Sequence, residues 1–291
     1  MKSTNDTNLI DFRKNKKLSN FTRLYLLTNL ITIPFLIFLG VLNMVVRIGL
    51  PLTANVIAGP AVAGLIMGSA ISFMVNFYIK KINTIEQERR NVLIDSQREV
   101  IYTMGEIVES RSKETGSHVK RVAEYSRLLA HLQGLSKNDS ELLKNASPLH
   151  DIGKVGIPDS ILLKPAELTR EEFEVMKTHT TIGYKILRSS DREILRAAAI
   201  VAHQHHENWD GSGYPHGLRG RSIHLFGRIT AIVDVFDALS HDRIYKKAWQ
   251  LEQILEFMMA NRGTKFDPEL LGLFSTNLNQ FLTIRKQYPP E

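Results

Sequence analysis

Two uncharged stretches near the start of the chain set its pattern apart from all that follows. Leu24 to Val46 is 23 residues without a charge, bounded by Arg23 and Arg47. Ile48 to Ile79 is 32 more, bounded by Arg47 and Lys80. At about 1.5 Å per residue the first makes a helix of roughly 34 Å, enough to cross a hydrocarbon layer of about 30 Å. Pro51 and Pro60 interrupt the start of the second, so its helix is expected from about Ile57 to Ile79. The pattern predicts a transmembrane hairpin over residues 24–79, with a short external loop at 47–56. A buried hairpin of a soluble protein is the alternative, and the basic residues at the boundaries argue against it. Gly64, Gly68 and Ser72 recur every four residues, a spacing that lets two helices approach closely.

Beyond Lys80 the pattern changes. The chain to Arg111 is charged and free of glycine and proline until Gly105, which predicts a linker helix over 80–110. Ile94, Ile101 and Val108 stand seven apart with Met104 between them, a stripe suited to pairing with a second copy as a homodimer. The remainder reads as helices joined by polar loops, without a run of alternating strand residues, so the fold class is all-α. Leu142, Leu143, Ala146 and Leu149 form one stripe, with its stop expected at Gly153 and His150 and Asp151 at the helix end. Ile229 to Leu239 is an apolar helical run that carries Asp234.

Charge locates the ends. The chain has a net charge of +7, but residues 1–79 hold seven Lys/Arg against two Asp/Glu, and residues 80–291 hold 30 against 28. The excess is therefore concentrated at Arg13, Lys14, Lys16, Lys17 and Arg23, and a nucleic-acid polymer, which wants a basic face on the folded domain, is not an expected partner. Basic residues flank the outer ends of both apolar stretches, so both termini are expected in the cytoplasm. Met1–Phe21 is too polar for a cleavable signal peptide. There is no cysteine, which rules out disulfides and thiolate ligands. A metal site must use His, Asp, Glu and water, a donor set suited to iron, manganese or magnesium.

Such donors occur in an ordered set. Glu114 and His118 are four apart and share a helix face. His150-Asp151, His179, His205-His206 and Asp234 follow. Singly, each histidine has an ordinary reading as core or surface, but an aspartate in an apolar helix face is costly without a partner. The order His118, His150-Asp151, Asp234 resembles the metal-binding pattern of the HD superfamily of phosphohydrolases. "LHDIGKVGIPDSILLKP" (149–165), "HHENWDGSGYPHGLRG" (205–220), "RITAIVDVFDAL" (228–239) and "FDP" (266–268) narrow the resemblance to its HD-GYP branch. It covers about Ile101 to Phe274.

The resemblance implies an HD-type helical bundle over 101–291, behind the basic N-terminus (1–23), the hairpin and the linker. It implies two or three divalent metal ions, iron or manganese, and hydrolysis of cyclic di-GMP to linear pGpG or to GMP. By position Glu114, His118, His150, Asp151, His179, His205, His206 and Asp234 match its metal ligands. Asp151 matches the carboxylate that bridges two ions, and Lys154 a lysine beside the bridging water and the scissile phosphate. Arg243 and Lys246 match residues that hold substrate phosphates; Gly211, Gly213, Tyr214 and Pro215 belong to the loop that names the branch. Glu114 favours a third ion. Isoleucine after Arg243 and Ala166 after Pro165 depart from the common proline and glycine. With the hairpin, the implied location is the bacterial inner membrane. A receptor that binds cyclic di-GMP without turnover, or a phosphodiesterase for another cyclic dinucleotide, are the alternatives. His131, His203, His216 and His224 match no ligand position, and His241-Asp242, a second such dipeptide, is expected to be solvated. Tyr214 and Trp209 are open to two uses, stacking on a base or filling the loop core.

Overall fold

A computed structural model describes residues 35–49, 54–112, 116–241 and 248–289. Among them the chain is helical, and its only extended pairing is an isolated bridge between Arg262 and Phe266. It divides into two compact units, the residues up to Val92 and those from Leu93 onward.

In the first unit α1 spans Phe35–Arg47. The rest of the first uncharged stretch, residues 24–34, lies outside the described residues. Helix α2 begins at Ala54 and runs to Arg111 without interruption, 58 residues in all. It starts before the expected Ile57 and passes through Pro60, so the proline removes one backbone hydrogen bond without ending the helix. Its part from Val62 is long and apolar enough to cross a membrane, with mean hydropathy 1.8 in its best window and 6% of that window buried. Among the described residues it is the one helix that meets this test.

The second unit opens with the end of α2. Ile101 and Val108 are buried in the core of this unit, whereas Ile94 and Met104 are exposed. Two of the seven-spaced positions are thus used within the chain rather than for a second copy. Helix α3 (Gly116–Leu132) buries Val119, Val122, Tyr125 and Leu129 on one face at helical spacing. It packs on α4 (Lys137–Ala146), α8 (Leu225–Ser240), α10 (Pro268–Thr276) and α11 (Leu278–Gln287). Tyr125, Phe236, Phe274 and Phe281 meet there, with ring centroids 4.7 to 5.7 Å apart along the chain of contacts. Edge and tilted geometries of this kind add to the stabilisation that burial gives. Helices α6 (Arg170–Leu187), α7 (Glu193–Gln204) and α9 (Leu251–Ala260) and the short α5 (Asp159–Leu162) complete the unit.

Local sequence explains the boundaries that matter for the site. Thr169 and Glu172 form a capping box that starts α6, with Thr169 N–H donating to Glu172 Oε2 at 2.8 Å. Helix α4 does not run on to Gly153. It ends at Ala146, because Pro148 has no N–H to continue the ladder, and the chain tightens into a 3-10 turn over Ser147–Leu149. A second 3-10 turn, Ile152–Gly156, follows and packs on α6. His150 and Asp151 therefore stand between two turns, which frees their adjacent side chains from the roughly 100° separation of a regular helix. A Cβ at Gly153 would run into the His179 carbonyl, so only glycine lets this turn approach α6.

Candidate metal centre

Four elements carry the histidines to one place. His118 comes from the first turn of α3, His150 and Asp151 from the break between the 3-10 turns, His179 from α6, and His205-His206 from the end of α7. Asp234 enters from α8. Ring centroids of His150 and His205 are 5.2 Å apart, of His118 and His150 5.8 Å, and of His179 and His206 5.1 Å. Their ligand atoms form two groups. One atom each from Asp151, His179, His205 and His206 lie within 4.8 Å of one another, as do atoms from Glu109, His118 and His150.

Hydrogen bonds decide which nitrogen each ring presents. His150 Nδ1 is 2.9 Å from the Ser147 carbonyl, His179 Nδ1 2.8 Å from the Met176 carbonyl, and His205 Nδ1 3.0 Å from the Val201 carbonyl. A carbonyl only accepts, so Nδ1 is the donor in all three and each neutral ring aims an Nε2 lone pair inward. His118 Nδ1 is 2.8 Å from Asp237 Oδ2, which turns its Nε2 toward Asp234 Oδ1 at 3.7 Å. His150, His179 and His205 Nε2, together with Asp151 Oδ1 and Glu109 Oε1, are buried and have no hydrogen-bond partner among the described residues. Buried polar atoms left this way are costly, and converging imidazole nitrogens and carboxylate oxygens are what a divalent cation satisfies. The residues fit a metal.

Asp151 stands between the two groups. Its Oδ1 is 3.1 Å from His179 Nε2 and 3.5 Å from His205 Nε2; its Oδ2 is 3.3 Å from His150 Nε2 and 2.7 Å from Lys154 Nζ. Burial opposes ionisation of this carboxyl, but the Lys154 ammonium and His150 outweigh it and hold the pKa well below the ordinary range. Burial likewise disfavours a charged His150, yet the charges of Asp151, Asp234 and Glu109 raise it to about 10. His118 is raised against its burial by the bond to Asp237. His205 and His206 move the other way: burial and neighbouring imidazoles keep them neutral.

Several contributors were not among the expected residues. Glu109, in the last turns of α2, is buried, and Lys154 Nζ lies 3.2 Å from its Oε2. It shares the buried stripe of α2 with Ile101, Gly105 and Val108, so the test that singled out Asp234, a carboxylate on an apolar face, applies to it equally. Asp237 is held by Arg121, with Nε 2.6 Å from Oδ1 and Nη2 2.9 Å from Oδ2, both side chains 1% exposed. This pair locks the partner of His118, and Arg121 lies one helical turn after that histidine.

The loop after His206 packs on the centre. Tyr214 stacks on His206 at 4.8 Å and 29°, and its edge meets Phe173. One ring face is thus taken up within the loop core. Tyr214–Pro215 is cis, Gly211 N–H donates to the Asn208 carbonyl, and a Cβ at Gly213 would collide with the backbone of His206 and Asn208. Buried Glu207 ties the loop together, accepting from the His216 and Leu218 amides. Trp209 lies under the Arg228 guanidinium at 5.7 Å, and its amide donates to the Lys265 carbonyl. His203 stacks on Tyr184, and His224 caps α8. His241 is not solvated: its side chain is 11% exposed and its Nδ1 lies 2.9 Å from the Asp237 carbonyl, because the end of α8 folds it back. Glu114, Arg243 and Lys246 lie outside the described residues.

Residues 102–270 match the HD domain family. The 3'3'-cGAMP-specific phosphodiesterase 2 of Vibrio cholerae is 48% identical over 205 residues, 69% of this chain and 39% of that protein. The cyclic di-GMP phosphodiesterase response regulator RpfG of Xanthomonas campestris is 43% identical over 178 residues, 61% and 47% respectively. The chain thus spans less than half the length of either relative. The crystal structure of a cyclic GMP-AMP specific phosphodiesterase of V. cholerae, V-cGAP3, aligns with TM-score 0.50 at 21% identity, over 64% of this chain and 50% of that one, which supports the fold. With the HD domain match covering more than half of its length, the chain belongs to the HD domain family.

Proposed function

We propose that this protein is a metal-dependent phosphodiesterase that hydrolyses cyclic di-GMP to linear pGpG or GMP. The observation that carries this reading is the division of Asp151: one oxygen faces His179 and His205, the other His150 and Lys154. A carboxylate so placed is suited to bridge two cations, with His179, His205 and His206 on one side and His118, His150 and Asp234 on the other. Bound there, a pair of divalent ions supplies a nucleophile active near neutral pH and neutralises charge on the phosphodiester. The all-N/O donor set favours iron or manganese, two ions, or three with Glu114.

The chain's own residues do the rest. Lys154, anchored between Asp151 and Glu109, holds a positive charge at the rim of the centre, where a phosphate anion is attracted and its transition-state charge stabilised. Arg243 and Lys246 complete a phosphate clamp in this reading, and the 211–215 loop walls the site with Tyr214. The V. cholerae relative specific for 3'3'-cGAMP, at 48% identity, favours a second substrate of the same class. A receptor that binds without turnover lacks such support, since the ligand positions are filled. The apolar stretches support a two-span anchor in the bacterial inner membrane with both termini cytoplasmic, and Ile94 and Met104 support pairing of linker helices.

The test is to load the full-length chain in detergent with iron or manganese anaerobically and to follow cyclic di-GMP and 3'3'-cGAMP by chromatography. Loss of cyclic di-GMP with appearance of pGpG or GMP is expected. Cleavage of 3'3'-cGAMP alone transfers the reading to that substrate; full metal loading with binding but no cleavage of either establishes a receptor.

A further inference from the structure

Glu109 has two oxygens in two different situations. Oε2 accepts from Ser112 Oγ at 3.1 Å and faces Lys154 Nζ at 3.2 Å. Oε1 is buried with no hydrogen-bond partner among the described residues, on a side chain 1% exposed. It points to His150 Nε2 at 3.9 Å, too far for a hydrogen bond, and that nitrogen is itself without a partner. His118 closes the group, all three ligand atoms lying within 4.8 Å of one another. A buried carboxylate oxygen beside two imidazole nitrogens is satisfied by a cation seated among them.

We propose that Glu109 is a metal ligand, holding through Oε1 the ion shared with His118 and His150 while Oε2 anchors Lys154. This rests on the metal-centre reading above and adds to it a ligand from α2, nine residues before His118 and distinct from Glu114. The carboxylate would then couple two parts of the chemistry, fixing the ammonium at one oxygen and the ion at the other. The last turns of α2 would be part of the site itself, since Arg111 also donates to the Lys154 and Ile157 carbonyls.

The experiment compares Glu109→Gln, Glu114→Gln and Asp151→Asn with the wild-type full-length chain in detergent. Metal per chain is measured by elemental analysis, affinity by chelator titration with manganese, and the ligand field by the visible spectrum after cobalt(II) loading. Glu109→Gln is expected to lose one ion per chain or to weaken its affinity by at least about tenfold, with altered cobalt bands. Glu109→Asp, which keeps the charge on a shorter arm, is expected to fall between, and it carries the test if circular dichroism shows the glutamine variant unfolded. Wild-type metal count, chelator midpoint and cobalt spectrum in the folded variant would overturn the proposal and leave Glu109 as the anchor of Lys154 alone. A wild-type chain that takes up no ion, or an Asp151→Asn chain with full occupancy, would instead overturn the metal centre.

Discussion

At the scale of single residues, the centre depends on where protons sit. Asp151 is ionised and divided between two sets of nitrogens. Asp151→Asn replaces one acceptor oxygen with a donor nitrogen that cannot serve on the same side. Metal content should fall and turnover drop by at least about a thousandfold, which corresponds to only about 4 kcal/mol. Circular dichroism should be unchanged, because the side chain lies between two turns and outside the apolar core. Unchanged turnover with unchanged metal would refute the bridging role. The histidines predict a pH dependence as well. In the metal-free chain His150 is raised to about 10 and so favours the charged form at pH 7, His118 is raised too, and His205 and His206 are lowered. Coordination requires a neutral nitrogen. Filling the His118–His150 seat at pH 7 should therefore release a proton, and affinity there should increase as pH rises toward 10. Calorimetry of manganese binding in buffers of different ionisation enthalpy measures that release; heats that do not depend on the buffer would contradict it.

At the scale of elements, three rings are aimed by their own local backbone. His150, His179 and His205 donate Nδ1–H to carbonyls three or four residues earlier, so forming the turn or helix end also orients the ring. His118 differs, since Asp237 and Arg121 set it across the α3–α8 packing. Losing an outer partner of a ligating histidine costs about 10- to 100-fold in metal affinity, and Asp237→Asn should show this in a chelator titration. Asp237→Asn and Asp237→Ala should both lower stability as well, by about 3 kcal/mol in denaturant melts, because each leaves Arg121 buried beside no counter-charge. Wild-type stability in both variants would mean that the ion pair is not what joins α3 to α8. The second 3-10 turn has a sharper requirement. Gly153→Ala places a methyl group against the His179 carbonyl; the expected result is loss of metal with a lower melting temperature, and a wild-type melt would show that the turn can slide.

At the scale of the molecule, the question is how charge and hydropathy distribute the chain. The basic excess precedes residue 80, and the rest is close to neutral. Reporter fusions at Lys17 and Lys81 should both report cytoplasm if two spans separate them; an external signal from either would overturn the topology. Under the proposed function a near-neutral unit would attract an anionic nucleotide locally, by Lys154 and, in the proposed clamp, by Arg243 and Lys246. Arg243→Ala should raise KM while leaving metal content at the wild-type level. A parallel loss of metal would make Arg243 structural instead.

How much of this could be read from the chain alone follows from what is local. Helical periodicity is encoded within a few residues, so the all-α class, the stripe of α4 and the apolar run of α8 were legible. The donor types that the structure brings together were legible too, because a chain without cysteine has few ways to hold a metal and the motifs are long and ordered. Pro148 marked the early end of α4 in plain view, though the stripe through Leu149 outweighed it in the reading. Glu109, Asp237 and Arg121 were not singled out, although each lies on a buried face, because the sequence does not show which buried faces meet. Nor could it say that Asp151 would turn one oxygen toward α6 and α7 and the other toward Lys154, or that Tyr214 would spend a ring face on His206. Those relations join residues up to about 120 positions apart, as with His118 and Asp237. Only the packing of α3, α6, α7 and α8 into one core fixes such distances, because the free energy that selects them is the burial of all four helix faces at once.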